Sequence, residues 1–129
     1  MTEFTFYADS GPGGNLRFSG FSVSGHTGSA PAGEDLICAA ISKAAELVCN
    51  TITDVYGVGA GITADGASVS LTLSLPDEFS GGASADRADY RFINQYAVNG
   101  LLDGFYRWAL ALAGDSGGCV AVRLAEGKI

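Results

Sequence analysis

Apolar and polar residues alternate near the start of the chain, in a pattern typical of β-strands. The alternation runs through residues 3–7 and again through residues 16–23, and both segments are rich in aromatic and β-branched residues. Turn-forming residues are concentrated between them, at residues 9–15. The pattern therefore predicts two strands joined as a β-hairpin.

The first long segment without glycine, residues 34–56, has the apolar spacing of a helix. The apolar positions at i, i+4, i+7 and i+11 are Ile37, Ile41, Ala44 and Val48. Asp35 is the predicted N-cap, because its carboxylate can accept a hydrogen bond from an unpaired N–H group of the first turn. The helix is therefore expected to begin directly after Asp35.

The remainder of the chain predicts further strands and a second helix. Residues 54–62 favour only a weak strand, since they include three glycines. Residues 67–75 alternate regularly and predict a strand that ends at Pro76. A second helix is predicted over residues 84–113, and a final strand over residues 119–124.

This order of elements is ββα, then one or two strands, then αβ. The 129 residues are enough for one domain, which we expect to span residues 1–129. The predicted fold class is α+β. In this two-layer sandwich, two helices pack on one face of a mixed sheet of about five strands.

The charge of the chain narrows its possible functions. Seven lysines and arginines stand against fourteen aspartates and glutamates, for a net charge of −7. Nucleic-acid binding is not expected, because phosphate neutralisation needs a basic surface. No stretch has the roughly 18–20 apolar residues of a membrane span, and no signal peptide is recognisable at the N-terminus. We therefore expect a cytoplasmic protein with reduced cysteines and no membrane partner.

Two other kinds of site are not expected. Residues 114–118 read Gly-Asp-Ser-Gly-Gly, as in trypsin-like serine proteases. Those enzymes are built from two β-barrels, whereas here a predicted helix precedes the motif and a strand follows it. These residues therefore favour a helix end and a tight turn. A metal site is not expected, because the chain has one histidine and no C-x-x-C pair.

Cys38 and His26 form the candidate catalytic pair. His26 is the only histidine, and Cys38 follows it by twelve residues, across a loop of mostly small residues that can bring the two together. With Asp35 as N-cap, Cys38 lies in the first helical turn, where the helix dipole favours a thiolate. The alternative is that Cys38 is an ordinary buried core residue. Cys49 and Cys119 are interpreted as structural.

The sequence around this pair resembles the signature of the ribosomal-processing cysteine protease (Prp) family. The matching residues are Gly25-His26, followed by Gly-Glu-Asp-Leu-Ile-Cys-Ala-Ala-Ile-Ser at residues 33–42. The resemblance implies that Cys38 is the nucleophile and His26 the general base, with Asp35 and Ser42 in support. It also implies a mobile loop that closes over bound peptide, made of Thr27, Gly28, Ser29, Ala30, Pro31, Ala32 and Gly33. It implies no cofactor.

The resemblance further implies a homodimeric endopeptidase that removes a short N-terminal extension from a protein of the large ribosomal subunit. The expected partner is therefore the N-terminal peptide of that protein. An acidic surface would suit a substrate drawn from a basic ribosomal protein. Two alternatives remain open. One is a non-catalytic α+β module that docks on a basic partner. The other is thiol redox chemistry, which would need a second cysteine close to Cys38.

Overall fold

Five strands and two long helices make up the part of the chain that the structure describes. This structure is a computed structural model, and it describes residues 2–25, 32–65, 70–76 and 90–127. In chain order the elements are β1 Thr2–Ser10, β2 Leu16–Ser24, α1 Ala32–Asn50, β3 Gly61–Asp65, β4 Ser70–Ser74, α2 Tyr90–Asp115 and β5 Val120–Ala125. A short 3-10 turn, Pro12–Gly14, joins β1 to β2, and a π-helical turn, Thr51–Val55, follows α1.

The five strands form one mixed sheet in the order β3-β4-β2-β1-β5. β1 pairs antiparallel with β2 and parallel with β5, and the other described pairs are antiparallel. The predicted hairpin of β1 and β2 is confirmed. The α+β class, with a mixed sheet of five strands and two helices, is confirmed as well.

The core lies between the sheet and the two helices. Phe4, Phe6 and Ala8 alternate along β1 and are buried, so they share one face of the sheet. Ile41 of α1 and Leu102 of α2 are fully buried in the same hydrophobic cluster. Both helices therefore pack on the same face, and this arrangement makes the two-layer sandwich.

α1 begins earlier than the sequence predicts. Its first residue is Ala32, so the predicted N-cap Asp35 is instead the fourth residue of the helix. Alanine favours helices, and Pro31 precedes it in the sequence, where proline is tolerated at a helix start. Gly33 costs about 1 kcal/mol inside a helix, a cost that the packing of the buried apolar face of α1 outweighs. The prediction that Asp35 caps this helix is therefore wrong.

Two other predicted elements have different bounds. The weak strand predicted for residues 54–62 is mostly wrong, because β3 begins only at Gly61. Gly57 has a φ of +66°, a left-handed conformation that a regular strand cannot contain. Ser84, the first residue of the predicted second helix, lies outside the described residues. Within them, that helix runs over Tyr90–Asp115.

Contrary to the sequence-based expectation, one helical stretch, Leu36–Val55, is long and apolar enough to cross a membrane by length and composition, with a mean hydropathy of 1.4. The core helix of a folded domain meets the same criteria. Here Ile41 and Val48 are buried against the sheet, while an ion pair between Lys43 and Glu46 lies on the exposed surface of α1. We therefore interpret the stretch as a core helix.

Candidate active site

Cys38 lies where α1 meets the start of β1. It is the seventh residue of α1, in its second turn, and is only 8% exposed. Its Sγ lies 3.2 Å from Oγ1 of Thr2, the first residue of β1, and either atom could donate the hydrogen bond. Thr2 is itself only 2% exposed. The candidate nucleophile therefore lies at the end of the sheet where β1 begins.

Gly25 connects this contact to the segment that leads into His26. In the antiparallel register of β1 and β2, Glu3 is opposite Ser24, which brings Gly25 next to Thr2. A Cβ added to Gly25 would lie 2.8 Å from Thr2 Oγ1. The residue directly before His26 therefore packs against the side chain that contacts Cys38 Sγ. His26 itself lies outside the described residues, so the pairing of His26 with Cys38 stays a prediction.

The earlier start of α1 changes the electrostatic setting predicted for Cys38. With the helix starting at Ala32, Cys38 lies about 9 Å along the helix axis from the first residue. The effect of the helix dipole falls off within the first turn. The prediction that Cys38 lies in that turn is therefore wrong, and the structure places the Thr2 hydroxyl beside the sulfur.

The other predicted site residues lie on α1 or in the predicted loop before it. Ser42 is half-buried and lies one turn after Cys38 on α1, while the backbone of Asp35 lies one turn before Cys38. Thr27–Pro31 of the predicted mobile loop lie outside the described residues. Ala32 and Gly33 belong to α1, so the predicted loop is two residues too long.

Cys49 has a different environment from Cys38, although both lie on α1. It is buried in the core, and this burial, together with the nearby Glu46 carboxylate, raises the pKa of its thiol to about 11. A thiol with so high a pKa is protonated at neutral pH and is a poor nucleophile. In the part of the chain that the structure describes, no three His, Cys, Asp or Glu side chains gather as metal ligands would.

The Gly-Asp-Ser-Gly-Gly segment forms a helix end and a turn, as the sequence predicts. α2 ends at Asp115, and Gly117 and Gly118 have φ values of +67° and +96° that favour glycine. Ser116 Oγ donates a hydrogen bond to the Ala113 carbonyl oxygen at 3.2 Å, and Cys119 Sγ donates one to the Ser116 carbonyl oxygen at 3.0 Å. These contacts support structural roles for both side chains.

Thr2 is a neighbour of Cys38 that the sequence patterns do not single out. Nothing near it in the sequence suggests a role, because its contact with Cys38 spans 36 positions. The contact arises only when α1 is packed across the sheet. No local pattern of residues encodes that placement.

Known proteins share both the sequence pattern and the fold. The family model described as Cysteine protease Prp matches residues 1–103. The crystal structure of SMU.848 from Streptococcus mutans has a TM-score of 0.71 at 19% identity, over 98% of this chain and 96% of that one. No curated protein matches the chain in sequence.

Two further structures are of one enzyme, described as an essential ribosomal processing protease Prp from S. aureus. The complex with a substrate peptide has a TM-score of 0.69 at 12% identity, over 98% of this chain and 100% of that one. The complex with a covalently linked product peptide has a TM-score of 0.65 at 12% identity, with the same coverage. At these identities the structures show a common fold.

Proposed function

This chain belongs to the cysteine protease Prp family, and we propose that it removes a short N-terminal extension from a protein of the large ribosomal subunit. One observation carries the proposal. Cys38 Sγ lies 3.2 Å from Thr2 Oγ1, and Gly25, which directly precedes the only histidine, packs against that same threonine. The ribosomal substrate is supported by the S. aureus Prp, which is described as a ribosomal processing protease.

Cys38 is the best candidate for the nucleophile among the three cysteines. Cys119 lies beyond residues 1–103, the part that matches the family model, and its Sγ donates to a backbone carbonyl oxygen. Cys49 lies in the hydrophobic core, where a raised pKa keeps its thiol protonated. The sulfur of Cys38 contacts Thr2, which also packs against Gly25 at the strand end that leads into His26.

The proposed reaction is nucleophilic catalysis by a cysteine. His26 removes the proton of the Cys38 thiol, and the thiolate attacks the carbonyl carbon of the scissile peptide bond. The C–N bond then breaks, the leaving amine takes the proton from His26, and the acyl group remains on Cys38 as a thioester. His26 next removes a proton from water, which hydrolyses the thioester and restores the thiol. Asp35 and Ser42 support the pair from the adjacent turns of α1.

The proposal includes a cytoplasmic homodimer that acts on a basic protein. The net charge of −7 favours association with a basic ribosomal protein. Leu36 and Leu47 lie eleven residues apart on one side of α1 and are 73% and 67% exposed. This apolar surface supports association with a second copy. Its test is the mass of the protein in solution, which Leu36→Glu should reduce to that of a monomer.

The test of the cleavage is hydrolysis of a peptide that spans the extension junction of the host's ribosomal protein, followed by mass spectrometry. Cys38→Ala and His26→Ala should each abolish cleavage. Cys49→Ala and Cys119→Ala are the matched controls and should retain it. Cleavage by Cys38→Ala at the wild-type rate would overturn the mechanism. Binding of the peptide without turnover by the wild type would instead favour the non-catalytic docking module.

A further inference from the structure

We propose that Thr2 is a positioning residue, whose hydroxyl holds the sulfur of Cys38 in place and stabilises its thiolate. This inference rests on the proposed function, in which Cys38 is the nucleophile. Thr2 lies outside the sequence motif that carries the family resemblance, which begins at Gly25. The role of Thr2 therefore follows from the structure and not from the motif.

The contact has the chemistry that such a role requires. A threonine hydroxyl can both donate and accept a hydrogen bond. It can therefore accept from the Cys38 thiol and, after His26 takes the proton, donate to the thiolate. Both residues are more than nine-tenths buried, so bulk water does not replace this contact. Hydrogen bonds to ionised groups are the stronger kind, and the contact should therefore favour the thiolate.

The sheet holds the Thr2 side chain from both sides. Its backbone N–H donates to the Cys119 carbonyl oxygen at 2.9 Å, and its register partner on β5 is Val120. On the other side, Gly25 packs so closely against the hydroxyl and methyl groups of Thr2 that a Cβ on Gly25 would not fit. A β-branched side chain also has few χ1 rotamers. The hydroxyl is therefore fixed between β5 and the end of β2, which makes it a rigid support for the nucleophile.

The experiment compares two substitutions, one that removes the hydroxyl and one that keeps it. Thr2→Val keeps the shape of the side chain and removes the hydrogen bond, whereas Thr2→Ser keeps the hydroxyl. Thr5→Val is the matched control, because Thr5 lies on the opposite face of β1. For each variant, kcat and KM are measured on the junction peptide. The rate of iodoacetamide labelling of Cys38 is measured by mass spectrometry, and the thermal midpoint is measured as well.

Thr2→Val should lower kcat and the labelling rate of Cys38 by about tenfold each, the size expected for loss of a hydrogen bond to an ionised group. KM should not change. Thr2→Ser should restore most of both rates, and Thr5→Val should leave both unchanged. A loss of thermal stability with unchanged kcat and labelling would overturn the inference and leave Thr2 a structural residue.

The labelling experiment separates this inference from the proposed function, because it needs no ribosomal substrate. If the wild type cleaves the peptide and Thr2→Val cleaves and labels equally fast, the Thr2 inference fails and the proposed function stands. If the wild type does not cleave but Thr2→Val slows labelling of Cys38 tenfold, the hydrogen bond to the sulfur is supported and the proposed function fails.

Discussion

Replacement of Gly25 by alanine tests the packing that brings the strand end before His26 close to Cys38, the candidate nucleophile. The new Cβ would lie 2.8 Å from Thr2 Oγ1, 3.3 Å from Cγ2 and 3.4 Å from Cβ. The distance to Oγ1 is shorter than the closest approach that Cβ atoms in proteins make to other heavy atoms. Either the Thr2 side chain must rotate or the two strands must separate. Overpacking of this kind costs about 1–3 kcal/mol.

The substitution Thr2→Ala provides the second arm of a double-mutant cycle. It removes both Oγ1 and Cγ2, so the nearest remaining atom is Cβ at 3.4 Å, an ordinary van der Waals contact. In urea unfolding, Gly25→Ala should lower the free energy of unfolding by about 1–3 kcal/mol when Thr2 is present. In the Thr2→Ala background the loss should be less than half as large. With Thr2 present, kcat should also fall, because the displaced hydroxyl no longer supports Cys38 Sγ.

The matched control is Gly59→Ala, since a Cβ at Gly59 would meet no heavy atom within 4 Å. It should change neither stability nor kcat appreciably. The reasoning is refuted if Gly25→Ala costs the same in both backgrounds, to within about 0.5 kcal/mol, because additivity would mean that Gly25 and Thr2 do not touch. The placement of Gly25, the residue before His26, close to Cys38 would then be contradicted as well.

Three further predictions concern stability. Gly20→Ala should lower the free energy of unfolding by about 3 kcal/mol or more in urea titrations, because its Cβ would overlap the backbone carbonyl oxygen of Leu73 across β2 and β4; a neutral effect would contradict this pairing. Gly100→Ala should instead raise the free energy of unfolding by about 0.5–1 kcal/mol, because glycine destabilises a helix relative to alanine and a Cβ at this position of α2 would lie in open space. A decrease would contradict the helical assignment. Since the pKa of Cys49 is raised from 9.0 to about 11, the folded state keeps a proton that the unfolded state loses as the pH rises through this range. The free energy of unfolding should therefore fall by roughly 2–3 kcal/mol between pH 9 and 11; this fall should be absent from Cys49→Ala, and an identical profile in that variant would contradict the shift.

The regular parts of the fold could be predicted because short-range patterns determine them. The alternation along β1 places every second side chain on the helix-covered face, so the strand and its buried residues are readable from the sequence alone. The start of α1 could not be predicted in this way. Several residues near Asp35 can begin a helix. The difference in free energy between these possible starting points is smaller than the packing energy of the whole apolar face of α1. Tertiary contacts therefore decided between them.

The candidate site could also be predicted only in part, for the same reason. Cys38 and His26 could be predicted as a catalytic pair because their residue types and the surrounding motif are local features of the sequence, and their pairing stays a prediction. The neighbours of Cys38 could not, since Thr2 reaches it from a strand that lies 36 positions earlier. The predicted reason for a reactive Cys38, a place in the first helical turn, was wrong for a related reason. It depended on the helix start, which tertiary contacts determine.

The parallel pairing of β1 with β5 has a consequence for biosynthesis. The ribosome makes β1 first and β5 last of the described elements, yet the Thr2 N–H is paired with the carbonyl group of Cys119. A nascent chain that has not yet exposed residues 119–125 can form the hairpin of β1 and β2, but it leaves one side of Thr2 without a partner strand. The sulfur of Cys38 therefore acquires its fixed neighbour only after residues 119–125 have left the ribosome. Synthesis itself delays the appearance of a fully ordered thiol.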